Sequence, residues 1–572
     1  MSVSQVNTIN EHFKLPIYYN DKKQSIAPNI TKDLELIETV DSSGIPIYNY
    51  YFNTNNELSK QVAKQAAEYY TVDKQFLTEN QQLLKTYSKS SSLYSDYTNI
   101  IGVWNEIKTD TGFKDKYYYV TWPSWKFLNK SEHFLQVMSI YNIASPIISL
   151  LIPIIILIIP FFIIRFKGLQ LTISEYIDVL KIIMSNHAIG KLFTHFNTVS
   201  AQQKIYLLLS AGFYVFSVYQ NELVCMRYNA NMKRIHENLE TIRDYINHTV
   251  TAMKHYTSFA GEFKTHNKFN ETLSEKIQIL TKFNESIATI TKYEFTNYKK
   301  ITEIGRVMKL FYEIHDDEQF NTAFLYSLGF NGYLDCIDGL TTNIANQQIN
   351  FADFVKSKSV FKRSYYACLK DSEPVKNTVK LYKSGIITGP NASGKTTILK
   401  STLINVLVTQ QFGCGFYESA QLKPFKYIHC YLNIPDTSGR DSLFQAEARR
   451  CKEILDLISK NKRDGHFCVF DELYSGTNPE EAVTSATAFM EYMVKNPNVQ
   501  CMLTTHFVEI CNQLKKNPAI DNYNMFTTKT DTKMNYTYKL KSGISTVKGG
   551  VNILYDMNYP DEIIKRATAI TR

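Results

Sequence analysis

The chain has 572 residues, which is enough for several domains, and 44% of them are hydrophobic while 20% are charged. The net charge of +9 permits contact with nucleic acid or an anionic membrane, but it is too small for this length to indicate either. All nine cysteines lie at or after Cys225 without C-x-x-C pairing, which predicts reduced thiols and argues against a disulfide framework. The N-terminus lacks an apolar stretch, so no signal peptide is predicted.

Residues 1–142 form a mixed, tyrosine-rich region, in which the apolar spacing from Leu58 to Tyr87 predicts mostly helix. The uncharged run 143–164 follows and is long enough to cross a hydrocarbon core about 30 Å thick. Its prolines disfavour a soluble helix and are better tolerated in a membrane helix. A buried strand or core helix is the alternative interpretation of this run.

A second uncharged run, 205–219, is shorter and predicts either another membrane span or an ordinary buried helix. Between the two runs, Leu171–Met184 is amphipathic, which predicts a helix on the membrane surface or a small packed helix. We therefore interpret residues 143–220 as a membrane insert that forms a helical hairpin.

Residues 221–354 predict long helices. Apolar residues at three and four spacing, such as Ile235, Leu239 and Ile242, form one face of the first of them. Helices of this kind suit a lever, a coiled arm or a plain bundle, and the pattern does not choose among these.

From residue 355 to residue 572, short apolar runs alternate with helical segments, which is typical of an α/β domain. Gly389–Thr396 fits G-x-x-x-x-G-K-[ST] and lies between a predicted strand and a predicted helix. Backbone N–H groups in such a loop surround phosphate oxygens at a helix N-terminus. The predicted phosphate-binding residues are Gly389, Pro390, Asn391, Ala392, Ser393, Gly394, Lys395, Thr396 and Thr397.

Side chains suited to nucleotide hydrolysis accompany this loop. Lys395 can supply a positive charge to the β- and γ-phosphates, and the Thr396 hydroxyl can bind Mg²⁺. An apolar run ends in Asp471 and Glu472, of which the first can hold Mg²⁺ through water and the second can act as general base. His506 follows another apolar run and can contact the γ-phosphate; a buried core histidine is the alternative for this residue alone.

The runs TGPNASGKTT, SGRDSLFQAEARRCKEIL, FDELYSGTNPEEA and TTHF, in this order and spacing, resemble the ATPase domain of the MutS family. The run Tyr538–Ala567 is similar to a C-terminal tail of that family, which general P-loop proteins lack. The resemblance spans about Lys376–Arg572. It implies an α/β P-loop NTPase of the MutS type that hydrolyses ATP with Mg²⁺, preceded by a mainly helical core and lever region.

The resemblance also implies a homodimer with two composite sites at the interface. Ser442 would approach the γ-phosphate that the partner subunit binds. Asn391 matches the family asparagine linked to nucleotide-dependent rearrangement, and Asn377 matches a residue beside the adenine. This chain departs from the family at Ala392-Ser393 and at Tyr474-Ser475, where the family has Met-Gly ahead of its Gly-Lys-Ser and Gly-Arg, respectively. Both departures leave the phosphate ligands intact and concern signalling between the sites.

Further upstream, Ile45–Leu84 resembles the start of the MutS core domain, which implies that this region packs near the ATPase part. Both would then lie on one side of the membrane, which favours two spans. The family's mismatch-reading domain, which wedges a Phe beside the base, has no counterpart ahead of this region. Phe311–Asp317 matches that motif locally, but its position after the helical arm indicates an ordinary amphipathic helix.

The predicted domains are 1–142, 143–220, 221–354 and 355–572. We interpret the chain as a dimeric, membrane-anchored MutS-like ATPase with its ATPase domain on the cytosolic side and with double-stranded DNA as a partner. One alternative is a soluble mismatch-repair protein whose apolar runs are core, and another is a membrane-remodelling or transport ATPase that acts without DNA. An ATP-binding-cassette transporter is disfavoured, because no LSGGQ-type signature precedes Asp471.

Overall fold

The computed structural model describes residues 8–571 except 55, 89–93, 95, 169, 171, 187–199, 292–298, 433–441, 530–533, 546, 548–553, 555–556 and 558. The chain divides into two compact units. The first comprises Met1–Ser91, Ala252–Lys276 and Phe324–Arg572, and the second comprises Ser92–Thr251 and Ile277–Ala323. The domain ranges drawn from the sequence stay predictions.

All the described strands belong to the first unit. They are β1 (Lys23–Ser25), β2 (Tyr69–Thr71), β3 (Asn350–Phe354), β4 (Ser359–Ser364), β5 (Asn377–Leu381), β6 (Ser384–Thr388), β7 (Cys414–Gly415), β8 (Ser419–Leu422), β9 (Tyr427–Tyr431), β10 (His466–Asp471), β11 (Val499–Thr505), β12 (Ile520–Lys529) and β13 (Met534–Ser542).

The α-helices are mostly amphipathic or buried. In chain order they are Ile9–His12, Pro28–Asp33, Ile47–Phe52, Glu57–Gln65, Lys74–Thr86, Tyr97–Thr109, Phe113–Lys116, Glu132–Phe166, Ile173–Asn186, Ala201–Ala260, Asn267–Ala288, Lys299–Asp316, Glu318–Ala345, Lys395–Phe412, Leu443–Lys460, Pro479–Met493, Val508–Leu514 and Asp561–Thr571. Short 3₁₀ helices lie at Pro16–Tyr19, Pro123–Lys130, Lys264–His266 and Ala367–Leu369.

A six-stranded sheet with the order β13-β12-β6-β11-β10-β9 forms the centre of the C-terminal part. Its neighbouring strands are parallel, except that β13 runs antiparallel to β12. Every residue of β6 is buried, as expected for a parallel strand with both faces covered. The α/β architecture predicted for this part of the chain is therefore confirmed, and the part before it is mostly helical.

A second sheet, with the order β5-β4-β8-β3-β7, lies in the same unit, and β1 pairs with β2 in a small third sheet. The segment Leu58–Tyr87 is mostly helical, as predicted, but β2 interrupts it between two helices. This short strand exists because residues 69–71 pair antiparallel with residues 23–25, a contact that local apolar spacing does not report.

The N-terminal residues pack on the helix Lys395–Phe412. The Tyr48 hydroxyl lies 3.0 Å from Gln411 Oε1, and Gln411 Nε2 donates to Tyr69 O at 2.8 Å. Gln81 Nε2 donates to Gly413 O at 2.7 Å, just past the end of that helix. The segment that resembles the start of the MutS core domain therefore contacts the α/β part directly.

The second unit is helical and contains Phe311 on the helix Lys299–Asp316. The Phe311 ring is fully buried and lies 5.4 Å from Phe113 and 5.0 Å from Tyr117, measured between ring centroids. Phe311 is thus a core residue. This agrees with the interpretation of Phe311–Asp317 as an ordinary amphipathic helix that only resembles a base-wedging motif.

Two helices of the second unit carry most of its exposed apolar side chains. Cys225 Sγ lies 3.4 Å from Ile143 O, and the Tyr214 hydroxyl lies 3.5 Å from Ser149 O, so the two helices run antiparallel. We call their outward residues the apolar surface: Ile147, Ile148, Leu150, Leu151, Ile152, Ile155, Ile158, Ile159, Phe162, Ile163 and Phe166 on the first helix, and Ile205, Tyr206, Leu208, Leu209, Phe213, Val215, Phe216 and Tyr219 on the second.

Length and apolar content select one stretch, Glu132–Ile152, among the described residues as able to cross a membrane, with a mean hydropathy of 1.6 and 22% of its most apolar part buried. It overlaps the predicted span 143–164 but begins earlier, and the same criteria do not select 205–219. The predicted amphipathic segment forms the helix Ile173–Asn186, with Tyr176 packed 4.8 Å from the Phe161 ring. Membrane insertion therefore stays a prediction.

Candidate functional site

The site lies where three adjacent parallel strands, β6, β11 and β10, end at the same edge of the sheet. Loops that follow the carboxyl ends of parallel strands are the usual place for ligand binding in an open α/β sheet. Here β6 leads into Gly389, β10 ends at Asp471, and β11 ends at Thr505, directly before His506. Strand order alone therefore brings residues more than a hundred positions apart into one site.

The loop between β6 and the helix Lys395–Phe412 has the conformation that its glycines permit. Gly394 adopts φ +92°, which an L side chain rarely adopts, and it comes directly before the helix. A Cβ on Gly389 would lie 2.8 Å from Ser393 Oγ, so the loop closes tightly at both ends. The structure thus has a strand, a glycine-shaped turn and a helix N-terminus where the sequence predicts them.

Lys395 is 6% exposed and is held inside this loop. Its Nζ donates to Gly389 O at 3.1 Å and to Pro390 O at 3.3 Å. Burial lowers the pKa of the Lys395 ammonium, while the charges of Glu472 and Asp471 act in the opposite direction. The ammonium therefore sits desolvated at the mouth of the loop, where an anion would be a stronger partner than two carbonyls.

Glu472 and His506 meet beside this ammonium. His506 Nε2 lies 2.6 Å from Glu472 Oε1, and Lys395 Nζ lies 3.9 Å from the same oxygen and 3.4 Å from both ring nitrogens. The hydrogen bond from His506 lowers the pKa of the Glu472 carboxyl, and the charge of Lys395 adds to that effect. Glu472 is consequently an ionised carboxylate that can accept a proton.

Asp471 is held by two hydroxyl groups. Thr396 Oγ1 donates to Asp471 Oδ2 at 2.8 Å, and Thr504 donates to the other carboxylate oxygen. A hydroxyl and a carboxylate oxygen side by side fit Mg²⁺, which prefers oxygen ligands and keeps several waters. Both predicted metal ligands, Thr396 and Asp471, are therefore in one place.

A cavity of about 620 Å³ opens beside the loop. Its walls include the predicted residues Asn377, Asn391, Ala392, Ser393, Gly394, Lys395, Thr396, Thr397 and Glu472. Asn377 does not point freely into it, because its side chain donates to Tyr538 O at 2.9 Å and accepts from Leu540 N at 2.8 Å. Asn377 thus fixes β13 next to the cavity.

Ser442 makes none of these contacts, and its predicted action on a partner's site stays a prediction. It is the N-cap of the helix Leu443–Lys460: its Oγ accepts from Gln445 N at 3.3 Å, and Gln445 Oε1 accepts from Ser442 N at 3.0 Å. The backbone N–H groups of the first helical turn lie next to this serine and its reciprocal capping box. The residues just before it, 433–441, lie outside the described part of the chain.

Sequence reasoning missed several residues of the site. Thr504 donates a hydrogen bond to Asp471, a contact that depends on the parallel pairing of β10 with β11 and has no local signal. Tyr538, Met525, Tyr366, Leu369 and Val375 form an apolar side of the cavity, suited to a flat ring. The sequence gives little indication of these residues, because they come from separate segments that are brought together only by folding.

Residues 385–572 match the family model described as MutS domain V. The chain is 30% identical over 190 residues to the DNA mismatch repair protein MutS of Bacteroides fragilis, a match that covers 33% of this chain and 22% of that protein. It is 26% identical over 216 residues to the protein of the same name from Persephonella marina, covering 36% of this chain and 24% of the relative. The match to the Staphylococcus haemolyticus protein of that name is 26% over 201 residues, 34% of this chain and 22% of the relative. The chain thus matches less than a quarter of the length of each of these relatives.

Proposed function

The chain belongs to the MutS family through its C-terminal α/β domain, and on this premise we propose that it is a P-loop ATPase that works as a homodimer. The observation that carries the proposal is the meeting of Lys395, Asp471, Glu472 and His506 at one sheet edge, beside a cavity of about 620 Å³. Fold alone would not carry it, since one fold hosts many activities.

The chemistry follows from these contacts. In the proposed reaction, Lys395 exchanges its two carbonyl partners for phosphate oxygens of ATP and stabilises the charge that develops there. Glu472 orients the attacking water and accepts its proton, while His506 holds the carboxylate and contacts the γ-phosphate. Mg²⁺, held by Thr396 and Asp471, would neutralise phosphate charge when bound. The apolar wall with Tyr538 would receive the base.

The proposed homodimer gives Ser442 a role at the nucleotide site of the partner subunit. In a composite site, the helix N-terminus at Ser442 faces the γ-phosphate of the partner subunit, which suits an anion. ATP then joins two protomers, and its hydrolysis releases them. The helical parts of the chain would carry this movement to a target.

We propose further that the apolar surface is embedded in a membrane. Large apolar side chains face outward along both helices, and a patch of this extent on a soluble protein is unusual. Trp122, Trp125 and Phe127, exposed by 71%, 55% and 66%, come just before the first of these helices. Aromatic side chains in this position are typical of the membrane–water interface.

The fold also supports an even number of crossings. Residues before the insert and residues after it pack together in the first unit, as the contacts of Tyr48 and Gln81 with the end of the helix Lys395–Phe412 show. If 143–164 crosses the membrane, the chain must return, and 205–219 is the segment available for the second crossing. The α/β domain would then face the side that contains ATP.

Duplex DNA is a second candidate target, because the relatives are named as DNA mismatch repair proteins. A soluble mismatch-repair protein, or a membrane-remodelling ATPase without DNA, would use the same nucleotide site. Binding to homoduplex, mismatched and branched DNA at several salt concentrations separates these functions, since phosphate contacts make affinity fall as salt rises. Weak binding without salt dependence would favour a target other than DNA.

ATP turnover by the purified full chain in detergent tests the main proposal. Glu472→Gln keeps the size of the side chain and removes the base, so we expect kcat to fall about 10²- to 10⁴-fold while ATP binding persists and a dimer accumulates. Glu480→Gln, an exposed position on the following helix, is the matched control and should hydrolyse ATP normally. Normal turnover in Glu472→Gln would refute the assignment of the base.

Carbonate extraction of the expressed protein tests the membrane proposal. An integral membrane protein stays in the pellet, because carbonate removes only peripheral proteins. Release into the supernatant would show that another protein surface, or the core of an assembly, covers the apolar surface.

A further inference from the structure

A buried carboxylate next to the site has no part in the chemistry described above. Glu447 is 2% exposed and lies in the second turn of the helix that begins after Ser442. Its Oε1 accepts from Ser475 Oγ at 3.0 Å, and its Oε2 accepts from the backbone N–H of Gly476 at 3.2 Å. A buried charge is costly unless it is paired or hydrogen-bonded, so these two bonds hold the loop where it is.

This loop, Leu473–Thr477, directly follows Glu472, and we call it the coupling loop. It touches the same helix at two further points. The rings of Phe444 and Tyr474 lie 5.6 Å apart, and a Cβ on Gly476 would lie 2.7 Å from the Leu443 side chain. Glycine at position 476 therefore permits a close approach that any side chain would block.

The backbone of this region has little freedom to adjust on its own. Glu472 and Tyr474 both have positive φ, at 52° and 61°, which is uncommon for residues with a side chain and persists only where surrounding contacts impose it. Beneath the loop, Tyr474 N donates to the Tyr431 hydroxyl at 3.4 Å. Burial, and after it the charge of Glu447, raise the pKa of Tyr431, so this phenol stays a neutral partner.

We propose that Glu447 is a positioning residue that couples the position of Glu472 to that of the helix N-terminus at Ser442. This inference rests on the proposed dimeric ATPase. In that dimer, Ser442 meets the nucleotide of the partner subunit while Glu472 serves the protomer's own nucleotide. The Glu447 bonds then convey the state of one site to the other.

The family's Gly-Arg is replaced here by Tyr474-Ser475, and the link uses this replacement. The Ser475 hydroxyl donates one hydrogen bond to Glu447, and the Tyr474 ring supplies the contact with Phe444. The departure that raised a question about signalling between sites thus provides a physical connection between them.

The test measures kcat and KM for Glu447→Gln, Ser475→Ala and the double variant in the full chain. Displacement of the Glu472 carboxylate should lower kcat about tenfold to a hundredfold in Glu447→Gln and by a smaller factor in Ser475→Ala. We expect KM for ATP to stay unchanged, because the Lys395 loop is intact. Ser475→Ala removes one of the hydrogen bonds that Glu447→Gln already disturbs, so the double variant should be no worse than Glu447→Gln. Asp456→Asn, an exposed acid on the same helix, is the control and should match the wild type.

Hydrogen exchange at the coupling loop provides a readout without activity. The Gly476 N–H should be protected in the wild type and exchange faster in Glu447→Gln, but not in Asp456→Asn. Ser475 is exposed, so Ser475→Ala is expected to fold even where Glu447→Gln does not.

Wild-type kcat in both variants, or effects that add in the double variant, would overturn the inference and leave the ATPase intact. A wild-type chain that neither binds nor hydrolyses ATP would overturn the proposed function, and this inference with it.

Discussion

The carboxyl edge of the six-stranded sheet and the apolar surface of the second unit differ in which kind of side chain is exposed. At the sheet edge, charged groups are partly buried and paired with one another, as Lys395, Glu472 and His506 are. On the apolar surface, side chains such as Ile159 and Phe213 are 48% and 71% exposed with no polar function. Paired charges in a cleft are typical of a site for a charged ligand, whereas a large outward apolar patch is typical of a surface that a protein partner or a membrane covers.

The largest effect is expected from a charge placed on the apolar surface. Ile159→Arg should disfavour membrane insertion by about 2.5–3.5 kcal/mol if the helix crosses a bilayer, because an Arg in the hydrocarbon core is costly. Val40→Arg, at an exposed apolar position of the first unit, is the control and should not change partitioning. Carbonate extraction of both variants measures the difference, and equal extraction of the two would remove the contrast drawn above.

Removing the ammonium at the sheet edge should have a somewhat smaller effect. Lys395→Ala is expected to weaken ATP binding about 100-fold, because charge-assisted hydrogen bonds to the phosphates are lost. Lys400→Ala, on the same helix and away from the loop, should bind as the wild type does. Equilibrium binding of a fluorescent ATP analogue reports both. Unchanged affinity in Lys395→Ala would mean that the paired charges there are only structural.

Acid should weaken the sheet through a buried histidine pair. His429 Nε2 lies 3.1 Å from His466 Nδ1, and burial, with the charges of His466 and Arg450, lowers the pKa of His429 to about 3. The unfolded chain binds this proton near pH 6.5 while the folded chain resists it, so stability is lost as the pH falls from 6.5 towards 3. Between pH 7 and pH 5 the wild type should lose about 2 kcal/mol more free energy of unfolding than His429→Gln.

Urea unfolding of the α/β part at both pH values measures this difference. His133→Gln, at an exposed histidine, is the control and should follow the wild type. If the free energy of unfolding depends on pH in the same way in all three proteins, the folded chain does not hold the histidine pair neutral.

The smallest effect should come from the apolar wall of the cavity. Tyr538→Ala is expected to raise Kd for ATP about tenfold if the ring packs against the base, while Tyr538→Phe keeps the ring and the affinity. Inorganic triphosphate has no base and should bind both variants equally well. An equal loss for triphosphate would place Tyr538 among the phosphate contacts instead.

Sequence could predict the parts of the site whose residue types are dictated locally. Gly394 is favoured by its positive φ, Lys395 belongs to the pattern G-x-x-x-x-G-K-[ST], and Asp471 and Glu472 stand at the end of an apolar strand. Thr504 and Glu447 could not be found in this way. Thr504 meets Asp471 only because β10 and β11 pair in parallel with these residues in register, and Glu447 meets Ser475 only across two elements.

The same limit applies to the fold. Apolar spacing predicted the helices of Leu58–Tyr87, yet β2 depends on pairing with β1, far away in the chain. The apolar runs 143–164 and 205–219 predicted membrane spans, with buried core segments as the alternative, because their burial depends on which other segments pack against them. The structure leaves the side chains it describes in both segments largely exposed, and no local pattern contains that information.

Glu472 adopts φ +52°, a left-handed backbone conformation that glycine adopts with less strain than residues with a side chain. Its bond to His506 is between half-exposed groups and offsets little of this strain. Glycine at this position is therefore expected to stabilise the fold and would remove the proposed general base. At the residue proposed as the general base, the chain thus combines a strained backbone with a carboxylate, a trade-off between stability and the proposed activity.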